Sequence, residues 1–191
     1  MTEVARHVRG VLFLDYVRML RSQKNIDWTQ HLLPEDLLYL GRKIEPDAWY
    51  PMASFERMGN EILRTTARGQ LFTVQLWGRY SAGQLRVAHP SLLAPLDPIE
   101  TVNRFRVMRQ TFFDFSALDL PLLHDDEAHV VIHYYMGMPA EEAAAYQTLG
   151  FFEGLLELAG ARDIHGVFKE KSWAGDKRTL VALRWNLPGA S

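Results

Sequence analysis

Cysteine is missing from all 191 residues. Its absence excludes disulfides, thiolate catalysis, iron–sulfur clusters, cysteine-based zinc sites and an acyl chain carried on sulfur, and it fits a reducing compartment. Net charge is scarce too: 21 Lys and Arg against 23 Asp and Glu leave −2. There is no global basic field of the kind a nucleic-acid binder needs. The one basic cluster, Lys169, Lys171, Lys177 and Arg178, reads as a solvated hairpin turn. No apolar run approaches the ~18 residues of a membrane span. The opening stretch MTEVARHVRGVLFLDY has a short apolar run, broken by Asp15 and lacking a small-residue cleavage site, which makes a poor signal peptide. A cytoplasmic protein is expected. A Gly-rich phosphate loop, a serine nucleophile elbow and a His-Glu-x-x-His pattern are all missing, as are internal repeats and low-complexity segments.

What the chain does hold is apolar residues, 48% of the total with 12% aromatic, enough to bury a sizeable core. The expectation is one domain over 1–191, helical over about 8–114 and built of a sheet plus a helix over about 115–187. Helical spacing marks residues 10–23. Asp27 or Thr29 can cap a short turn through His31–Leu33. Pro34-Glu-Asp opens the next helix, with proline and acids in its first turn. IEPDAWYP reads as a loop. Helices follow over about 54–68 and 70–86, and another starts at Asp97-Pro98 and runs to about Phe113.

After Phe115 the period changes from helix-like to two. Leu118, Leu120 and Leu122 alternate with polar residues or proline; Val130 and Ile132 alternate with His129, Val131 and His133. This predicts a β-hairpin with one apolar and one wetter face. A helix over about 140–159, stopped by Gly160, leads to two more strands ending at Trp185. The fold class is α+β: an N-terminal helical half, then a four-stranded antiparallel sheet with one long helix packed on it.

The tail GFFEGLLELAGARD, VFKE and TLVALRW resembles the closing unit of a superfamily that contains 4-vinyl-reductase-like ligand-binding domains, TRAPP tethering subunits and haem–nitric-oxide-binding domains. With WYP at residues 49–51, the whole chain resembles a bacterial domain family of unknown function in that group. The resemblance implies a regulatory or scaffold role, an apolar ligand and pairing through helices. For the haem branch it also implies a Tyr-x-Ser-x-Arg motif that holds the propionates and an iron-ligating His on the helix before the sheet. Here Tyr134 matches the tyrosine, but Met136 and Met138 replace Ser and Arg, and a thioether supplies neither a donor nor a cation. The corresponding helix, NRFRVMRQTFFDF, has no His. A haem site of that type reads as lost.

Other polar groups offer little chemistry. His129 and His133 would share a helix face, but in a strand they stand about 13 Å apart, too far for one metal. His124 with Asp125, Asp126 and Glu127 reads as a solvated turn. Glu141 and Glu142 suit a helix N-terminus, and nothing positions a partner for Asp114 and Asp119. The candidate ligand-pocket or interaction residues are Trp49, Tyr50, Trp77, Arg79, Tyr80, Phe112 and Tyr134, with Arg79 or His89 available to a polar ligand head. The reading is a non-catalytic regulatory or scaffold module that binds a partner protein, a small apolar ligand or a second copy of itself, with no catalytic residue, metal or cofactor assigned. The alternatives are a cofactor- or tetrapyrrole-binding protein and an enzyme on an unfamiliar site.

Overall fold

A computed structural model describes residues 5–133 and 140–187. The chain forms two compact units: residues 1–70 with 110–115, and residues 71–109 with 116–191.

The first unit opens with β1 (His7–Arg9), which runs into α1 (Gly10–Ser22); α2 (Pro34–Gly41), β2 (Trp49–Pro51) and α3 (Met52–Thr65) follow. The stretch read as a loop therefore contains a strand. Trp49–Pro51 pairs antiparallel with His7–Arg9, placing Val8 opposite Tyr50. Three residues are too few to show an alternation, and their partner lies some forty residues away, so the ladder leaves no local trace. Tyr50 stacks on Phe13 at 4.6 Å, and Tyr39 meets both rings edge-on. Val8, Phe13, Val17, Leu20, Met52 and Met58 fill the core around them. Gly10 is required where β1 becomes α1, because a Cβ there would overlap the Glu45 carbonyl oxygen. The returning segment 110–115 closes the unit: the Arg9 amide donates to the Phe112 carbonyl at 2.8 Å, and Asp114 accepts from the His7 amide at 2.6 Å. Asp36 on α2 is fully buried, where the Arg57 guanidinium of α3 grips both its oxygens at 2.6 and 2.8 Å. Removing Arg57 would strand the buried Asp36 carboxylate.

The second unit comprises α4 (Leu71–Ala88), α5 (Pro98–Met108), β3 (Leu118–Leu123), β4 (Glu127–Ile132), α6 (Ala140–Leu158), β5 (Arg162–Glu170) and β6 (Thr179–Asn186). Asp97 caps α5 by accepting from the Glu100 amide at 2.9 Å, with Pro98 at its first position. The helix ends at Met108, short of Phe113, in a tighter turn over Arg109–Thr111. The sheet is antiparallel throughout, in the order β3-β4-β6-β5. Helix α6 lies on the face that carries Ala128, Val130, Val181 and Leu183: its Leu149 reaches Gly166 of β5, and its Tyr146 ring is 5.0 Å from Phe168.

Asp15 on α1 is largely buried. Desolvation holds its carboxyl above the ordinary value of 3.8, outweighing the attraction of Arg18. A carboxyl raised by folding favours the native state most when protonated, and that contribution is lost as pH rises through the folded pKa. Asp15→Asn is therefore expected to raise the melting temperature at pH 7 and to give a smaller gain near pH 4, read by thermal denaturation at both pH values.

Candidate functional site

Helix α4 is apolar on two sides. Val74, Gly78, Ala82 and Leu85 are buried. The other side carries Phe72, Leu76, Tyr80 and Val87, a ridge at helical spacing that stays in water; Phe72, Tyr80 and Val87 are 68%, 67% and 69% exposed. A helix that is apolar all round ordinarily lies inside a core, and a contiguous exposed apolar ridge marks a surface that meets something.

The buried side of α4 rests directly on the backbone of α6. A side chain on Gly78 would overlap the Gln147 carbonyl oxygen, one on Gly150 the Gln75 carbonyl oxygen, and one on Gly154 would stand 2.8 Å from Arg79 Cα. Polar groups lock the register. Gln75 Nε2 donates to Glu153 Oε2 at 2.9 Å, and Arg79 reaches Glu157 at 3.1 Å and Glu153 at 3.8 Å. Glu153 is buried, so these α4 partners offset its desolvation.

The sheet face away from α6 carries a polar row. His133 Nε2 lies 2.9 Å from Asp119 Oδ2, and Arg109 approaches the other Asp119 oxygen at 3.5 Å while donating to the Leu118 carbonyl at 2.8 Å. On the same face His129 contacts Glu127 at 2.9 Å. That contact, with a smaller contribution from Arg184, holds the Glu127 carboxyl below its ordinary value. Each imidazole is oriented by one carboxylate, and among the described residues no group of three or more His, Asp or Glu could hold a metal ion.

The candidate residues read from the sequence divide between the units. Trp49, Tyr50 and Phe112 belong to the first. Trp49 is partly exposed beneath the Arg9 guanidinium, 4.6 Å from its ring centre; Tyr50 is in the aromatic core; Phe112 is buried. Trp77, Arg79 and Tyr80 all lie on α4 in the second but on different sides of it, with Arg79 engaged by α6 and Tyr80 on the exposed ridge. Tyr134 lies outside the described residues. Phe72 and Val87 were not singled out, although their spacing from Leu76 and Tyr80 is visible in the sequence.

No protein-family model and no curated sequence matches the chain. Solved structures do. An H-NOX protein from K. algicida in the unliganded Fe(II) state aligns with a TM-score of 0.67 at 11% identity, covering 96% of this chain and 99% of that one. An H-NOX protein from Shewanella oneidensis in the Fe(II)NO state gives 0.62 at 11% identity, covering 93% and 99%. An oxygen-binding H-NOX domain related to soluble guanylate cyclases gives 0.57 at 17% identity, covering 94% and 96%. The chain has the H-NOX fold.

Haem iron needs an axial His, Cys, Met or Tyr. Helix α5 has no His, its only such group being the thioether of Met108. None of the seven histidines is buried, and four already contact carboxylates. The residues present do not fit an imidazole-ligated haem on α5.

Two substitutions test the α4–α6 contact. Gly150→Ala is expected to cost about 1–3 kcal/mol or more, because two backbones must separate. Glu153→Ala is expected to cost about 1–3 kcal/mol by leaving Gln75 and Arg79 short of a partner. Both are read by urea denaturation, and an unchanged midpoint would contradict the packing.

Proposed function

We propose that this chain is a non-catalytic sensor module that binds an apolar ligand of tetrapyrrole size, held by packing without an imidazole–iron bond from α5. The observation that carries this reading is the likeness to H-NOX domains along nearly the whole chain, several of them described in named iron-ligation states. It favours a tetrapyrrole-type ligand over a pure protein scaffold. The ridge of Phe72, Leu76, Tyr80 and Val87 adds support as an apolar surface standing in water. The polar row on the sheet is spread along its strands and does not converge on one point, which is not the pattern of an acid–base site.

Native mass spectrometry of protein purified without refolding, followed by titration with haemin and with metal-free protoporphyrin IX, tests the proposal. A noncovalent adduct, or binding of both compounds with similar affinity, is expected, and Phe72→Ala with Tyr80→Ala should weaken it. Tight binding of haemin alone would reveal an iron ligand elsewhere in the chain. A bare mass and no binding of either compound would shift the assignment to a protein-interaction module.

A further inference from the structure

β5 is an outer strand. Among the described residues its one strand neighbour is β6, and its other edge is open. Arg162, Asp163, His165, Val167 and Lys169 along it are exposed. An open edge of nine residues is a template for another strand, and natural sheets guard such edges with charges, notably lysine. The charges of β5 are arranged to meet their opposites. The strand reads Arg162-Asp-Ile-His-Gly166-Val-Phe-Lys-Glu170. Reflected about Gly166, Arg162 falls on Glu170, Asp163 on Lys169, Ile164 on Phe168 and His165 on Val167. Antiparallel pairing of two identical strands imposes that correspondence, with a two-fold axis midway between the two copies of the central residue and normal to the sheet.

The geometry points to the β5 edge as a homodimer interface, in which two copies pair antiparallel about Gly166 and join their four-stranded sheets into one. This occupant is selected by charge. Each end of the strand presents the complement of the other, so a second copy satisfies both ends at once. The apolar positions agree: Ile164 lies beside Phe168 of the second copy on the α6 face, and the two glycines meet at the axis without side chains in the way. The β5–β6 ladder shifts register between Arg162 and His165 and again between Phe168 and Glu170, so the two irregularities, which hold Asp163 and Lys169, themselves fall at mirrored positions about Gly166. Glu170 already holds Arg178 at 2.8 Å, which leaves Asp163 and Lys169 as the pair that sets register. Asp163 accepts from Asn186 at 2.8 Å with its other oxygen available, and Lys169 has no ion pair among the described residues. This interface is independent of the ligand reading above.

Sedimentation velocity of the full chain over a range of concentrations, at low and high salt, tests the inference. The wild type should dimerise reversibly, and less so at high salt. Asp163→Lys and Lys169→Glu each place like charges at two symmetric positions and should weaken self-association about tenfold or more. An equimolar mixture of these two variants restores both opposite-charge pairs and should form a heterodimer. Asp163 sits at φ +49°, where lysine is less at ease than Asp or Asn. Asp163→Asn, which keeps the backbone preference, should also weaken the dimer, and circular dichroism checks that each variant is folded. A wild type that stays monomeric throughout, or single variants that dimerise as strongly as the wild type, would overturn the assignment.

Discussion

The contact between the backbones of α4 and α6 governs the second unit. Gly78, Gly150 and Gly154 allow an approach that no side chain would permit, so each helix presents main chain, with its fixed dipoles, to the other. Such a contact has almost no room to slide, and the Glu153, Gln75 and Arg79 latch closes what room is left. Because α6 also lies on the sheet through Leu149 and Tyr146, α4 inherits its position from the sheet by way of α6. The outward ridge of α4 is thus a rigidly placed surface. Rigid placement matters for a binding face, because a preorganised surface loses less entropy when it is covered.

Much of the architecture was legible in the residues. Asp97-Pro98 marked the start of α5 and Gly160 the end of α6, since caps and stops are local chemistry that one residue can specify. The period-two runs marked the hairpin for the same reason. The β1–β2 ladder was not legible: its strands are too short for a pattern, and its pairing is a tertiary event. The glycines of α4 and α6 look scattered in the sequence and acquire meaning only when the two helices are set side by side.

The candidate site was legible in part. Trp77, Arg79 and Tyr80 share α4 but point different ways, since residues one or two apart on a helix do not face each other: Arg79 meets α6 while Tyr80 stands on the exposed ridge. Composition could not separate Phe112, which is covered, and Tyr50, which is half-buried against Phe13, from Tyr80 and Trp49, which meet water, since an aromatic residue carries the same spacing signal in either setting. The absence of His from α5 was readable at once, because it is a fact of eleven letters. The mirror symmetry of β5 is likewise written in nine letters, but it means something only once that strand is known to lie at the edge.

The first unit has an unusual tie to the order of synthesis. The chain leaves it at Gln70, builds two helices of the other unit, and returns only with residues 110–115 to cover β1 and receive the Arg9 amide. A ribosome adding roughly 5–20 residues per second needs some seconds to cross that interval. For that time Val8 and its strand lack their second neighbour, and the N-terminal unit waits, unfinished, on residues encoded well past its own helices.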